Sequence, residues 1–94
     1  MKLSAEEQEL YRRVDEILHY LWDPIGVSDI PLARDEYHSY LPKVFSLVIS
    51  EAKHHEISEY LVKVESGSMG MSPNNGKAIE VAKLLIETKE ALLE

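Results

Sequence analysis

No cysteine occurs in this chain of 94 residues. That absence removes a disulfide framework, a thiolate metal site and a thiol nucleophile. Basic residues are scarce: ten Lys and Arg stand against 17 Asp and Glu, for a net charge of −7. The one adjacent basic pair, Arg12-Arg13, is surrounded by acids. A negative field repels phosphate backbones, so nucleic acid is not expected as a partner. Long apolar runs are missing as well. The longest nearly uncharged stretch, Val44 to Ile49, is far too short to span a bilayer. The S-A-E-E-Q-E that begins at Ser4 lacks the apolar core of a signal peptide. A soluble cytoplasmic protein with no membrane partner is the expectation. There is neither an internal repeat nor β-type alternation long enough for a strand.

What is present is helical pattern. A hydrophobic share of 45% suits a globular protein. The length predicts a single domain over residues 1–94, burying roughly 60–65% of the surface of its unfolded chain. Ser4 and Glu7 form a capping-box pattern, and Leu10, Val14, Ile17, Leu18 and Leu21 continue it as one apolar stripe. Glu9 precedes Arg13 by four residues on the opposite face, in the favourable order for a pair. Asp23-Pro24 ends this helix, because proline disfavours helical dihedrals in the residue before it.

A second helical stretch opens near Asp35 and runs to about Ser50. Its broad apolar face (Tyr37, Leu41, Val44, Phe45, Val48) predicts a central position. Pro42 is best placed in the first turn of the main helix, after a short turn over 35–40. A third helix is predicted from Lys53 or His54 to about Ser66, with Ile57, Tyr60, Leu61 and Val64 on one face. After a turn-rich loop, a fourth runs from about Asn75 to Leu92 or Leu93. The fold class is therefore all-α, with about four helices. A long loop over 22–34 joins the first two, and its Ile25, Val27, Ile30 and Leu32 predict that it packs back onto the helices.

Candidate chemistry gathers between Trp22 and Tyr40. Trp22-Asp23-Pro24 reads as a helix stop under a large apolar lid, or as a pocket wall with Asp23 pointing inward. The first is the commoner packing. Arg34-Asp35-Glu36-Tyr37-His38 reads as a helix cap, a dipole partner and a local ion pair. The sharper alternative brings Asp23, Arg34, Asp35, Glu36 and His38 together as a small-ligand or enzyme site. Consecutive residues 35 and 36 point apart, which argues against it. Tyr37 suits the core, while Tyr40 suits core or surface.

Elsewhere, H-E-I-S-E from His55 lacks the second histidine of a helical zinc motif, since Glu59 stands there. No metal or cofactor is expected. Gly67-Ser68-Met69-Gly70 has the letters of a phosphate clamp, but Lys63 alone supplies charge. Without a catalytic set, an enzyme is the less favoured reading. A non-enzymatic protein-interaction module using the Trp22–Tyr40 region, immunity- or antitoxin-like in one version, is preferred, with self-association as a third reading.

Trp22-Asp23-Pro24-Ile25-Gly26, followed by Asp35-Glu36-Tyr37 and by Tyr40 ahead of Pro42, resembles a family of small bacterial proteins of unknown function. That family carries W-D-P-[IL]-G, then D-E-Y, then a helix like Glu56 to Glu65 here and a Met-Gly turn like Met69-Gly70. The resemblance covers residues 14 to 71. It implies an all-helical single domain and no particular activity. Lys53-His54-His55 departs from the Ser or Thr and acidic residues that the family places there, so the cap of the third helix is expected to differ.

Overall fold

A computed structural model describes residues 3–93. Four α-helices account for most of it: α1 (Ala5–Ile17), α2 (Leu41–Ile49), α3 (His54–Lys63) and α4 (Asn75–Leu93). The described residues contain no strand. The Cα radius of gyration of 12.7 Å matches the ~12 Å of a compact chain of this length.

Local chemistry sets most boundaries. Ser4 and Glu7 close the capping box of α1: Glu7 N–H donates to Ser4 Oγ at 3.1 Å, and Ser4 N–H to Glu7 Oε1 at 2.8 Å. On its outer face Arg13 donates to Glu9 at 2.8 Å. Pro42 lies in the first turn of α2, where its missing N–H costs no hydrogen bond. Residues 30–41 form a ladder of i to i+3 turns, among them His38 N–H to the Asp35 carbonyl and Tyr40 N–H to the Tyr37 carbonyl. Asp35 therefore caps no helix, and α2 starts six residues beyond it. At α3 only half a capping box forms: Glu56 Oε1 accepts Lys53 N–H at 3.0 Å, and no side chain caps the first turn from position 53. Asn74 Oδ1 accepts Lys77 N–H at the start of α4.

Two elements were not readable from periodicity. α1 and α3 each run on into a π-helical turn, Leu18–Trp22 and Val64–Ser68. The wider turn advances fewer degrees per residue than an α-helix. Trp22 thereby rotates into the core, and Leu21, assigned to the buried stripe by α-helical spacing, rotates out to 50% exposure. The Asp23 N–H still bonds back to the Leu18 carbonyl at 3.0 Å, and Asp23 then leaves in the left-handed region (φ 33°).

The core joins Leu10, Val14 and Leu18 to Val44, Val48, Ile57, Leu61 and Leu85. The central element is α4, not α2: it contacts α1, α2, α3 and the first π-turn. Its buried Ala78 and Ala82 let neighbouring helices approach closely, and its 19 residues reach all of them.

Candidate functional site

The loop between the first π-turn and α2 hangs on the Asp23 carboxylate. Asp23-Pro24-Ile25-Gly26 has the residue pattern of a type I turn, and Gly26 N–H bonds the Asp23 carbonyl at 3.2 Å. Gly26 has φ +76°, where a side chain would be strained. Asp23 Oδ1 accepts Val27 N–H at 2.8 Å and Oδ2 accepts Ser28 N–H at 3.1 Å. Tyr37 Oη donates to Oδ1 at 2.7 Å and accepts Ile25 N–H at 3.1 Å. Burial pushes the Asp23 carboxyl up, but the hydrogen bonds from Tyr37, Val27 and Ser28 outweigh it and hold the group below its ordinary value. Burial, then the hydrogen bond that its hydroxyl donates to Asp23, drives the Tyr37 phenol far above its ordinary value. Both side chains are committed to the frame.

A second clamp holds the far end of the loop. Arg34 makes two parallel bonds to Asp15 of α1, each 3.1 Å, and its guanidinium lies 5.4 Å from the Tyr20 ring centroid. His38 Nε2 sits 3.1 Å from the same Asp15 Oδ1. Sequence reasoning paired Arg34 with Asp35 or Glu36; its partner lies 19 positions away, on an element that only the fold brings near. Asp15 was missed for the same reason.

The five polar residues grouped in the sharper sequence reading thus divide. Asp23 belongs to the Tyr37 frame, while Arg34 and His38 meet at Asp15. Asp35 and Glu36 are exposed and join no ion pair among the described residues. Trp22 is fully buried, with its ring centroid 5.3 Å from that of Tyr37 and 6.3 Å, edge-on, from that of Tyr40. It is core, not a pocket wall. Tyr37 is buried and Tyr40 half-buried. Among the described residues no cluster of three His, Asp or Glu could hold a metal ion. His54 and His55 are exposed at the start of α3.

The aliphatic residues of the loop behave unequally. Val27 packs against the core, but Ile25 and Ile30 keep 43% and 46% exposure and Leu32 keeps 96%. The loop is thus held by the polar frame together with the packing of Val27 and the buried Tyr37 ring, and not by Ile25, Ile30 or Leu32. Asp29, Asp35 and Glu36, near these residues along the chain, are exposed, and Arg34, the one Lys or Arg between Trp22 and Tyr40, is paired with Asp15. What the segment offers is exposed apolar side chains interspersed along the chain with exposed acids, on a backbone tied at both ends. Among the described residues no helix is long and apolar enough to cross a membrane. The chain matches no family model, no curated protein and no solved structure.

Proposed function

We propose that this chain is a non-enzymatic protein-interaction module that docks a partner through Leu32, flanked by Ile30 and Ile25. The observation that carries this reading is a leucine 96% exposed on a loop held at both ends by side-chain clamps. Leaving such a side chain in water forgoes about 1.5–3 kcal/mol of burial, which a partner pocket recovers. Because the backbone is already fixed, docking loses little chain entropy. The exposed acids of the segment select a partner whose apolar pocket is bordered by Lys or Arg. Neutralisation of a basic protein, in the manner of an immunity protein or antitoxin, is one concrete form of this role. The resemblance motifs fit the same reading, for Asp23, Gly26 and Tyr37 are the residues that fix the loop.

Paired capture tests it. Wild-type protein and Leu32→Asp, each shown to fold by circular dichroism, are used as bait in extract of the source cells. The expected result is a basic protein retained by the wild type, lost with Leu32→Asp, and released by raised salt. Identical captures by both baits overturn the reading.

A further inference from the structure

Asn74 and Asn75 are the only asparagines of the chain, and they stand side by side at the start of α4, directly before Gly76. Their side chains have different duties. Asn74 caps the helix: its Oδ1 accepts Lys77 N–H and its carbonyl accepts Ala78 N–H, both at 3.0 Å. The Asn75 carboxamide has no hydrogen-bond partner among the described residues, and Asn75 and Gly76 are both exposed. Gly76 N–H has no acceptor among them either, as is usual in a first helical turn. A Cβ at Gly76 would meet nothing closer than Asn74 Oδ1 at 3.9 Å, so no neighbour crowds this peptide nitrogen.

An unused carboxamide thus precedes an unhindered peptide nitrogen. With no side chain on the following residue, that nitrogen approaches the asparagine Cγ more freely than in other pairings. Helical dihedrals keep the two apart, so the approach requires the first turn of α4 to open. Little resists opening: Gly76 is a weak helix former, and the first N–H groups have no partner within the helix. Ala78 is fully buried in the core, which confines the opening to residues 75–77. The Asn74 cap is the one side-chain tie across that turn among the described residues.

We infer that Asn75 is a self-modification site, losing its amide by cyclisation onto Gly76 at a rate set by the Asn74 cap. Gly76 N bonds to Asn75 Cγ, the Cγ–Nδ2 bond breaks, and Nδ2 leaves as ammonia with the proton from Gly76. Water then opens the cyclic imide. Breaking the new Cγ–N bond yields aspartate, whereas breaking the original peptide bond yields isoaspartate, with the chain rerouted through the side chain. The two products act oppositely on α4. Aspartate in the first turn meets the positive end of the helix dipole and shifts the folding equilibrium about two- to five-fold toward the native state. Isoaspartate lengthens the main chain and takes Lys77 out of register with the Asn74 cap. Asn75 also lines a cavity of about 380 Å³ between α3 and α4, together with Val62, Lys63 and Ile79. Either product adds a carboxylate to the wall that holds Lys63, which joins no ion pair among the described residues.

The intact protein is kept in warm, mildly alkaline buffer beside a urea-unfolded control. Peptide mapping by mass spectrometry follows each asparagine, with aspartate and isoaspartate separated by chromatography. Conversion at Asn75 with Asn74 intact is expected, slower than in the control. Asn74→Ala should speed it by about two- to thirty-fold, the effect of a lost N-cap on the opening of the turn. Asn74→Ser, which restores a cap, should return it to the wild-type rate, and Gly76→Ala should suppress it. An unconverted native protein beside a converted control, conversion at Asn74 first, or equal rates in the wild type and Asn74→Ala overturns the inference. Should Asn74→Ala fail to fold, Gly76→Ala decides: suppression supports the site, and a wild-type rate overturns it.

Discussion

Tyr37 Oη donates to Asp23 Oδ1 at 2.7 Å and accepts Ile25 N–H at 3.1 Å, so one phenol joins positions fourteen apart and satisfies the turn between them. Tyr37→Phe keeps the buried ring but strands the Ile25 N–H and removes a donor from the carboxylate. A loss of about 0.5–1.5 kcal/mol is expected, because the bonds lost are part-buried and water can replace some of them. Urea denaturation measures it, and a change under about 0.5 kcal/mol would show that the hydroxyl does not hold the loop.

The same frame makes stability depend on pH at the acid end. Asp23 is held below its ordinary value of 3.8, so its contribution is complete above that value and disappears as pH falls through the lower, folded-state value. Thermal melts from about pH 5 down to about pH 2 should show the wild type losing its advantage over Asp23→Asn. Parallel curves for the two proteins would remove Asp23 from the acid response.

Asp15 and Arg34 join α1 to the end of the loop by a two-pronged bond that remains partly exposed, with side-chain accessibilities of 22% and 37%. Solvent screening reduces such pairs, so a double-mutant cycle with Asp15→Ala and Arg34→Ala should return a coupling of about 0.5–1 kcal/mol. A coupling near zero would mean that the guanidinium is held by its stacking on Tyr20 instead.

Glu51 follows α2 at φ +65°, where Ala52 N–H returns to the Leu47 carbonyl at 3.1 Å and Glu51 N–H to the Val48 carbonyl at 3.3 Å. This is a Schellman ending with glutamate in the place usually given to glycine. Its contact with Lys89 is 3.7 Å long and Glu51 is 82% exposed, so little is lost with the carboxylate. Glu51→Gly should raise stability by up to about 1 kcal/mol, read as a higher urea midpoint at unchanged slope. Destabilisation would show that the Lys89 contact outweighs the backbone strain.

Where the deciding interactions are local, the amino-acid pattern sufficed. The capping box at Ser4 and Glu7, the start of α2 at Pro42 and the extent of α4 all follow from residues within one turn of each other. The sequence also placed Tyr37 in the core and flagged Trp22-Asp23-Pro24 as a stop. Its π-turns were hidden, because one residue more per turn leaves the composition unchanged while redirecting Leu21 and Trp22.

The tertiary structure alone decided which polar groups meet. Asp15 finds Arg34 because α1 passes the end of the loop, a proximity that no spacing along the chain encodes. It also decided which aliphatic residues are buried. Ile25, Val27, Ile30 and Leu32 look equivalent as letters, yet the Asp23 and Tyr37 bonds fix the backbone from Ile25 to Ser28, where Val27 reaches the core, while Leu32 in the turn Pro31–Ala33 faces water. Hydrophobicity acts without direction, whereas those hydrogen bonds act along fixed directions, and here the directional term sets the surface that the protein presents.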